Sequence, residues 1–167
     1  YGNVMGSRGS VIPFFLKLKN EGQEKLPITD ARMTRFMMTL SEAVKLVLLA
    51  FEDMIGGEIY VKKNKSMRVV DIAQAVAKDM QHEIIGIRPG EKLHEQMISS
   101  EDSPYTYEFK DYYKILSNIN RWHLDPERIK NGIKVADDFC YRSDSNDAWM
   151  TQQELSEWVK GRKGDLL

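Results

Sequence analysis

The stretch from Glu58 to Ile87 constrains this chain most, because it reads as strand, helix, strand. Glu58 to Val61 is a short run of strand formers, and Val69 to Met80 puts Val70, Ala73, Val76 and Ala77 on one side of a helix. Glu83 to Ile87 is again apolar and extended. Such alternation is the signature of an α/β fold. Two local signals frame it. Thr39-Leu40-Ser41-Glu42 has the form of a capping box, in which the threonine takes an orphan N–H of the first turn and the glutamate reaches back. The spacing predicts a helix from about Leu40 to Met54, stopped by Gly56-Gly57. Thr151-Gln152-Gln153-Glu154 repeats the form and predicts a helix through about Val159, with Leu155 and Trp158 on its buried face.

Ser10 to about Asn20 is also expected to be helical, with Ser10 available as a cap and Phe14, Phe15 and Leu18 as its apolar stripe. Leu26 to Thr29, Thr34 to Met38 and Tyr112 to Leu116 read as strands, and Lys92 to Ile98 as a short helix. From Glu101 to Asn120 the composition shifts toward Tyr, Ser and Asp. The 167 residues, 42% of them hydrophobic, suffice for one domain with its own core, expected over 1–167. A net charge of -1 gives no global attraction to nucleic acid or anionic membrane, so phosphate recognition has to come from locally placed Arg or Lys. That points to a small partner. The lone Cys140 excludes an internal disulfide and fits a reducing compartment, the cytoplasm. The longest apolar run, Val44 to Phe51, is broken by Lys45 and is far too short to span a bilayer.

Three constellations carry chemistry. The first is Tyr1-Gly2-Asn3-Val4-Met5-Gly6-Ser7-Arg8-Gly9-Ser10-Val11-Ile12-Pro13, where small residues, free backbone N–H groups and a guanidinium suit an anion, although an ordinary Gly/Ser loop before a helix has the same composition. It opens without an initiator Met and reads as the second half of something. The second is Ile87-Arg88-Pro89-Gly90-Glu91-Lys92-Leu93-His94-Glu95, directly after a strand, where Arg88 offers a fork for phosphate or pairs with Glu91 or Glu95. The third is Arg35, between Thr34 and Phe36, which is either in a buried ion pair or facing a ligand. Against these stand clear gaps. No G-x-G-x-x-G, no P-loop and no Tyr-x-x-x-Lys pair occurs, His82, His94 and His123 are scattered, and Ser7, Ser10 and Cys140 have no neighbouring base. The chain is equipped to bind and not to react.

The N-terminal segment, Pro27-Ile28-Thr29-Asp30, Met33-Thr34-Arg35-Phe36 and Ile87 to Glu95 together resemble an inverting UDP-N-acetylglucosamine 4,6-dehydratase, an extended short-chain dehydrogenase of the kind that begins pseudaminic acid synthesis for flagellin glycosylation. The similarity runs over almost the whole chain and is weakest from Ser103 to Gly132. The resemblance implies an α/β fold corresponding to the C-terminal, substrate-binding part of such an enzyme, without the N-terminal Rossmann half, with residues 1–20 adjoining that half. In the family NADP takes a hydride from sugar C4, water leaves across C5 and C6, and the hydride returns to C6 with inversion at C5; the residues that move those protons have no match here. What carries over is binding. Asn3, Val11 and Thr29 match contacts to the nucleotide sugar, Val4, Met5, Gly6, Ser7 and Arg8 match the stretch beside the nicotinamide, and Arg35 and Arg88 match two arginines that clamp the diphosphate. Asn146 and Asp147 resemble part of a C-terminal element closing over the ligand.

The expectation is therefore the UDP-sugar-binding portion of an NADP-dependent dehydratase, inactive and without bound cofactor by itself, with no metal, and homo-oligomeric. The alternatives are a free-standing module that recognises UDP-sugars or pairs with a Rossmann half on another chain, and a non-catalytic remnant that folds by self-association. Met5, Val11 and Phe14 are expected to form an exposed apolar patch.

Overall fold

The computed structural model describes residues 1–162. In chain order, β1 (Asn3–Val4) is followed by α1 (Val11–Asn20), β2 (Lys25–Ile28), β3 (Thr34–Met38) and α2 (Leu40–Asp53). Then come β4 (Ile59–Lys62), β5 (Lys65–Arg68), α3 (Val69–Val76), β6 (Gln81–Ile84) and β7 (Gln96–Ile98). The last third holds β8 (Thr106–Glu108), β9 (Tyr112–Ile115), the single turn α4 (Pro126–Ile129), β10 (Ile133–Lys134), β11 (Tyr141–Arg142) and α5 (Gln152–Lys160). The chain divides into two compact units.

One unit takes Gly2–Met38, Lys65–Glu95 and the described residues from Ser143 on. Its three-stranded sheet has the order β1-β3-β5, with β1 parallel and β5 antiparallel to β3, and a separate parallel pair joins β2 to β6. Met5, Ile12, Phe15, Leu26, Ile28, Met67, Ile72, Ala73 and Leu155 form its core. Ile12, Phe15, Ile72, Ala73 and Leu155 come from the apolar faces of α1, α3 and α5, so burying them closes these helices onto the strands. The other unit takes Tyr1, Thr39–Asn64 and Gln96–Arg142. It is an antiparallel sheet of order β10-β8-β9-β4 with a β11–β7 pair, and its core is aromatic: Tyr107, Tyr113 and Tyr141 are buried beside Val61, Ile98 and Leu116. Lys114 is buried there too, ion-paired with Asp53 and lying over the rings of Tyr60 and Phe109.

Both capping boxes form in full, on Thr39 with Glu42 and on Thr151 with Glu154. Ser10 stands at the α1 N-cap but makes no side-chain cap bond. Several expectations are corrected. Lys92 to Ile98 is not a helix: Gln96–Ile98 pairs with β11, and a distant strand decides that conformation. The helix expected through Met80 stops at Val76, where Ala77 leaves the helical region at φ -142°. The strand expected from Glu83 lies at Gln81–Ile84, and β5 and β8 were not expected at all. On α5 the buried pair is Leu155 and Val159, with Trp158 only half-buried, because the i, i+4 spacing fits the core face better than i, i+3. The expected patch also moves, since Met5 is buried and Val11 partly so, leaving Phe14 exposed. Exposed apolar residues instead line α2, of which only Ala43 is buried while Leu40, Val44, Leu48 and Phe51 face out.

Candidate functional site

A cavity of about 250 Å³ opens within the unit that contains the three-stranded sheet. Its wall is built from the end of β1 (Asn3, Val4, Met5), the turn into α1 (Gly9, Ser10, Val11), Thr29 after β2, and Arg35 and Met37 on β3, with Glu91 beside them. The sequence folds this way locally because Gly9 supplies a φ of +74°, so the chain can reverse from β1 into α1. The positive end of α1 then faces the cavity through Ser10 and Val11. The Oγ of Ser10 is shut off from solvent and has no hydrogen-bond partner among the described residues.

Two charged side chains line the cavity, Arg35 and Glu91, and the Glu91 carboxylate takes the Arg88 backbone N–H at 3.2 Å. The Arg35 guanidinium donates to the carbonyls of Thr34 at 2.7 Å, Leu93 at 3.1 Å and Lys92 at 3.0 Å, and no carboxylate among the described residues pairs with it. The nearby Asp30 is already satisfied. Hydrogen bonds from the side chain and backbone N–H of Arg32 hold its carboxyl down at about 2, so that charge is matched by Arg32 and not by Arg35. Of the two alternatives open for Arg35, no ion pair forms among the described residues, and the guanidinium lines a cavity. An anion is the natural complement.

Behind Arg35 lies a brace. Thr34 Oγ1 sits 2.8 Å from His94 Nδ1 and 2.7 Å from Ser143 Oγ, and His94 Nε2 is 3.8 Å from Asp144. The composition is that of a hydrolytic triad, but Ser143 is wholly buried, so no substrate reaches it. Its work is to fix residues 92–95 against β3, and with them the carbonyls that hold Arg35. Glu95 continues the brace: Oε1 accepts from Asn3 Nδ2 at 2.6 Å and Oε2 from the Phe36 N–H at 2.6 Å.

Of the residues matched through the resemblance, the fold brings Asn3, Val4, Met5, Val11, Thr29 and Arg35 together around the cavity. Gly6, Ser7 and Arg8 lie in the turn beside it, and Arg8 is exposed. Arg88 is exposed on the turn closed by the Glu91 N–H to its carbonyl; its own backbone N–H, not its guanidinium, meets Glu91. Asn146 and Asp147 are not in the wall. Residues 146–150 run beside β5, where Ser66 bonds to Ala148 and Met150, and the Asn146 amide bonds to Ser66 and to Ala148. That places them at the sheet edge opposite β1, about 14 Å away at the usual strand spacing. Sequence reasoning missed Met33, Met37, Glu91 and Glu95; the last two stand in a motif it had singled out around Arg88. For NADP the residues fit poorly: Val4 and Met5 offer a wall for one ring, and the chain has no glycine fingerprint for the pyrophosphate. Among the described residues no cluster of His, Cys, Asp and Glu could hold a metal, and no helix is long and apolar enough to cross a membrane.

A mixed α/β fold with a cavity between β1, α1 and β3 is that of the C-terminal part of an extended short-chain dehydrogenase. The chain belongs to the family described as "Polysaccharide biosynthesis protein", which matches residues 1–117. It is 52% identical over 98% of its length to the UDP-N-acetylglucosamine 4,6-dehydratase (inverting) of Campylobacter jejuni, and covers 51% of that protein. The UDP-glucose 4-epimerase of Rickettsia massiliae is 45% identical over 69% of this chain and 35% of its own. The X-ray structure of Pen from Bacillus thuringiensis superposes with a TM-score of 0.80 at 31% identity, covering 98% of this chain and 48% of that one. The chain thus spans about half the length of the curated dehydratases it matches.

Proposed function

We propose that this chain is the UDP-sugar-binding portion of an NADP-dependent UDP-N-acetylglucosamine 4,6-dehydratase, acting in the cytoplasm in the synthesis of surface-polysaccharide or flagellin sugars. The observation that carries the reading is Arg35, bonded to backbone carbonyls, in a cavity whose wall also holds Asn3, Val11 and Thr29, the residues matched to nucleotide-sugar contacts. A cavity of about 250 Å³ is smaller than the usual ligand pocket and takes the diphosphate with part of the sugar, not a whole nucleotide sugar. The chain's own residues bind and orient: Arg35 meets a diphosphate oxygen, Asn3 and Thr29 meet hydroxyls, and Arg88 closes on the second phosphate. They move no proton, so the chain is inactive by itself. The exposed apolar faces of α2 favour an oligomer, as a second copy or a Rossmann half on another chain would cover them.

Calorimetric titration with UDP-N-acetylglucosamine tests this. The wild-type chain binds saturably without turnover, and Arg35→Ala weakens binding at least tenfold, the effect of losing about 1.5–3 kcal/mol of charge-assisted hydrogen bonding. Arg35→Lys, which keeps the charge and loses the fork, falls between them. Equal affinity in Arg35→Ala, or conversion of the sugar by the chain, overturns the reading.

A further inference from the structure

Resting on that reading of the cavity, we propose that Glu95 is a positioning residue that locks the Asn3 carboxamide with its carbonyl oxygen turned to the cavity, so that Asn3 accepts a hydrogen bond from a hydroxyl or amide N–H of the sugar. The chemistry of the pair fixes the orientation. A carboxylate only accepts, so the group of Asn3 that meets Glu95 Oε1 at 2.6 Å is its NH₂, and Oδ1 points the other way. Among the described residues no donor reaches that oxygen, and Asn3 stands in the cavity wall.

Glu95 is itself held on every side. Ser66 directs its N–H and C=O to Ala148 and Met150, away from β3, so Phe36 opposite it sits in a non-hydrogen-bonded pair and turns its own N–H toward the β1 side. There the ladder has run out, because β1 begins at Asn3, the partner of Met37. Glu95 Oε2 takes this orphan N–H at 2.6 Å. The Glu95 N–H donates to Ser143 Oγ at 2.9 Å, and the Ser143 N–H donates to the Glu95 carbonyl at 2.9 Å. One carboxylate thus finishes the edge of the sheet and sets the rotamer of Asn3. A glutamine in its place cannot do both: with one oxygen and one NH₂ it serves Phe36 and then faces Asn3 with a donor, which flips the carboxamide and withdraws the acceptor from the ligand.

The experiment compares UDP with UDP-N-acetylglucosamine on the wild-type chain, Asn3→Ala, Glu95→Gln and the double variant. Glu95→Gln and Asn3→Ala are each expected to reduce the extra affinity due to the sugar, measured against each variant's own UDP affinity, about fivefold and to show no further loss when combined, the sign of one shared interaction. Retention of the sugar increment in Glu95→Gln, multiplicative losses in the double variant, or an equal fall in UDP affinity overturns the inference. If the wild type binds neither ligand, the reading of the cavity fails and the ligand half of the inference with it. The Asn3 side-chain amide resonances then decide the positioning itself: a displaced, slowly exchanging pair that collapses in Glu95→Gln supports it, and an unmoved pair refutes it.

Discussion

Replacing Asp53 by Asn should destabilise the aromatic-cored unit by about 3 kcal/mol at neutral pH, and the loss should shrink in acid. Asp53 ends α2 and accepts from Lys114, Lys130 and the Tyr60 hydroxyl. Burial by itself would raise its carboxyl, but those hydrogen bonds outweigh burial and bring it from 3.8 down to about 2. By linkage this corresponds to about 2 kcal/mol of stability at pH 7, fully present above the ordinary carboxyl range and lost as pH falls from about 4 through about 2. The remainder is the cost of leaving Lys114, only 1% exposed, with a carbonyl and two ring faces; breaking a buried pair costs about 3–5 kcal/mol, reduced here because asparagine keeps the shape and one acceptor. Urea unfolding followed at the amides of β4 and β9 reports on this unit. Asp30 and Glu154, also held at about 2, titrate in the same window in both proteins and cancel in the difference. The gap between wild type and Asp53→Asn should narrow by about 1 kcal/mol between pH 5 and pH 3. A gap that stays constant over that range, or one below about 1 kcal/mol at pH 7, refutes the assignment of a linked carboxylate.

Two further substitutions probe local structure by urea unfolding followed at amides of the unit that carries each one. Gly57→Ala combines a φ of +81° with a Cβ 2.5 Å from the Trp122 ring, which is itself stacked at 4.2 Å on Arg128, so about 2–4 kcal/mol should be lost and an unchanged midpoint would show that the ring moves freely. Thr151→Ala removes the α5 cap and should cost about 1 kcal/mol in the unit that carries the cavity; no change would mean that the capping box adds nothing to the packing of Leu155 and Val159.

What was legible in the chain is what is local or repeated as a motif. Thr39 and Glu42 bond across three residues, so the box that starts α2 is readable from four letters and forms wherever the helix does. The same holds for Thr151 with Glu154. Strand identity was less secure. Lys65-Ser66-Met67-Arg68 has no alternation, since Ser66 and Met67 are both buried, and only its ladder with β3 makes it a strand. Gln96–Ile98 reads as the continuation of a helix until β11 pairs with it.

The candidate site divides along the same line. Sequence by itself determined the α/β alternation, the helix starts and, through motif resemblance, the grouping of Asn3, Thr29 and Arg35, which the fold brings to one cavity. Tertiary structure decided that Asn146 and Asp147 lie at the opposite edge of the sheet from Asn3, and that Arg35 has carbonyls for partners where a carboxylate was equally open. It also decided that Glu95, 92 residues from Asn3, sets that side chain. The physical reason is range: a cap or a turn is a contest between neighbouring groups whose outcome the local sequence contains, whereas the partner of a buried charge or an orphan N–H is whichever group the fold delivers from far along the chain.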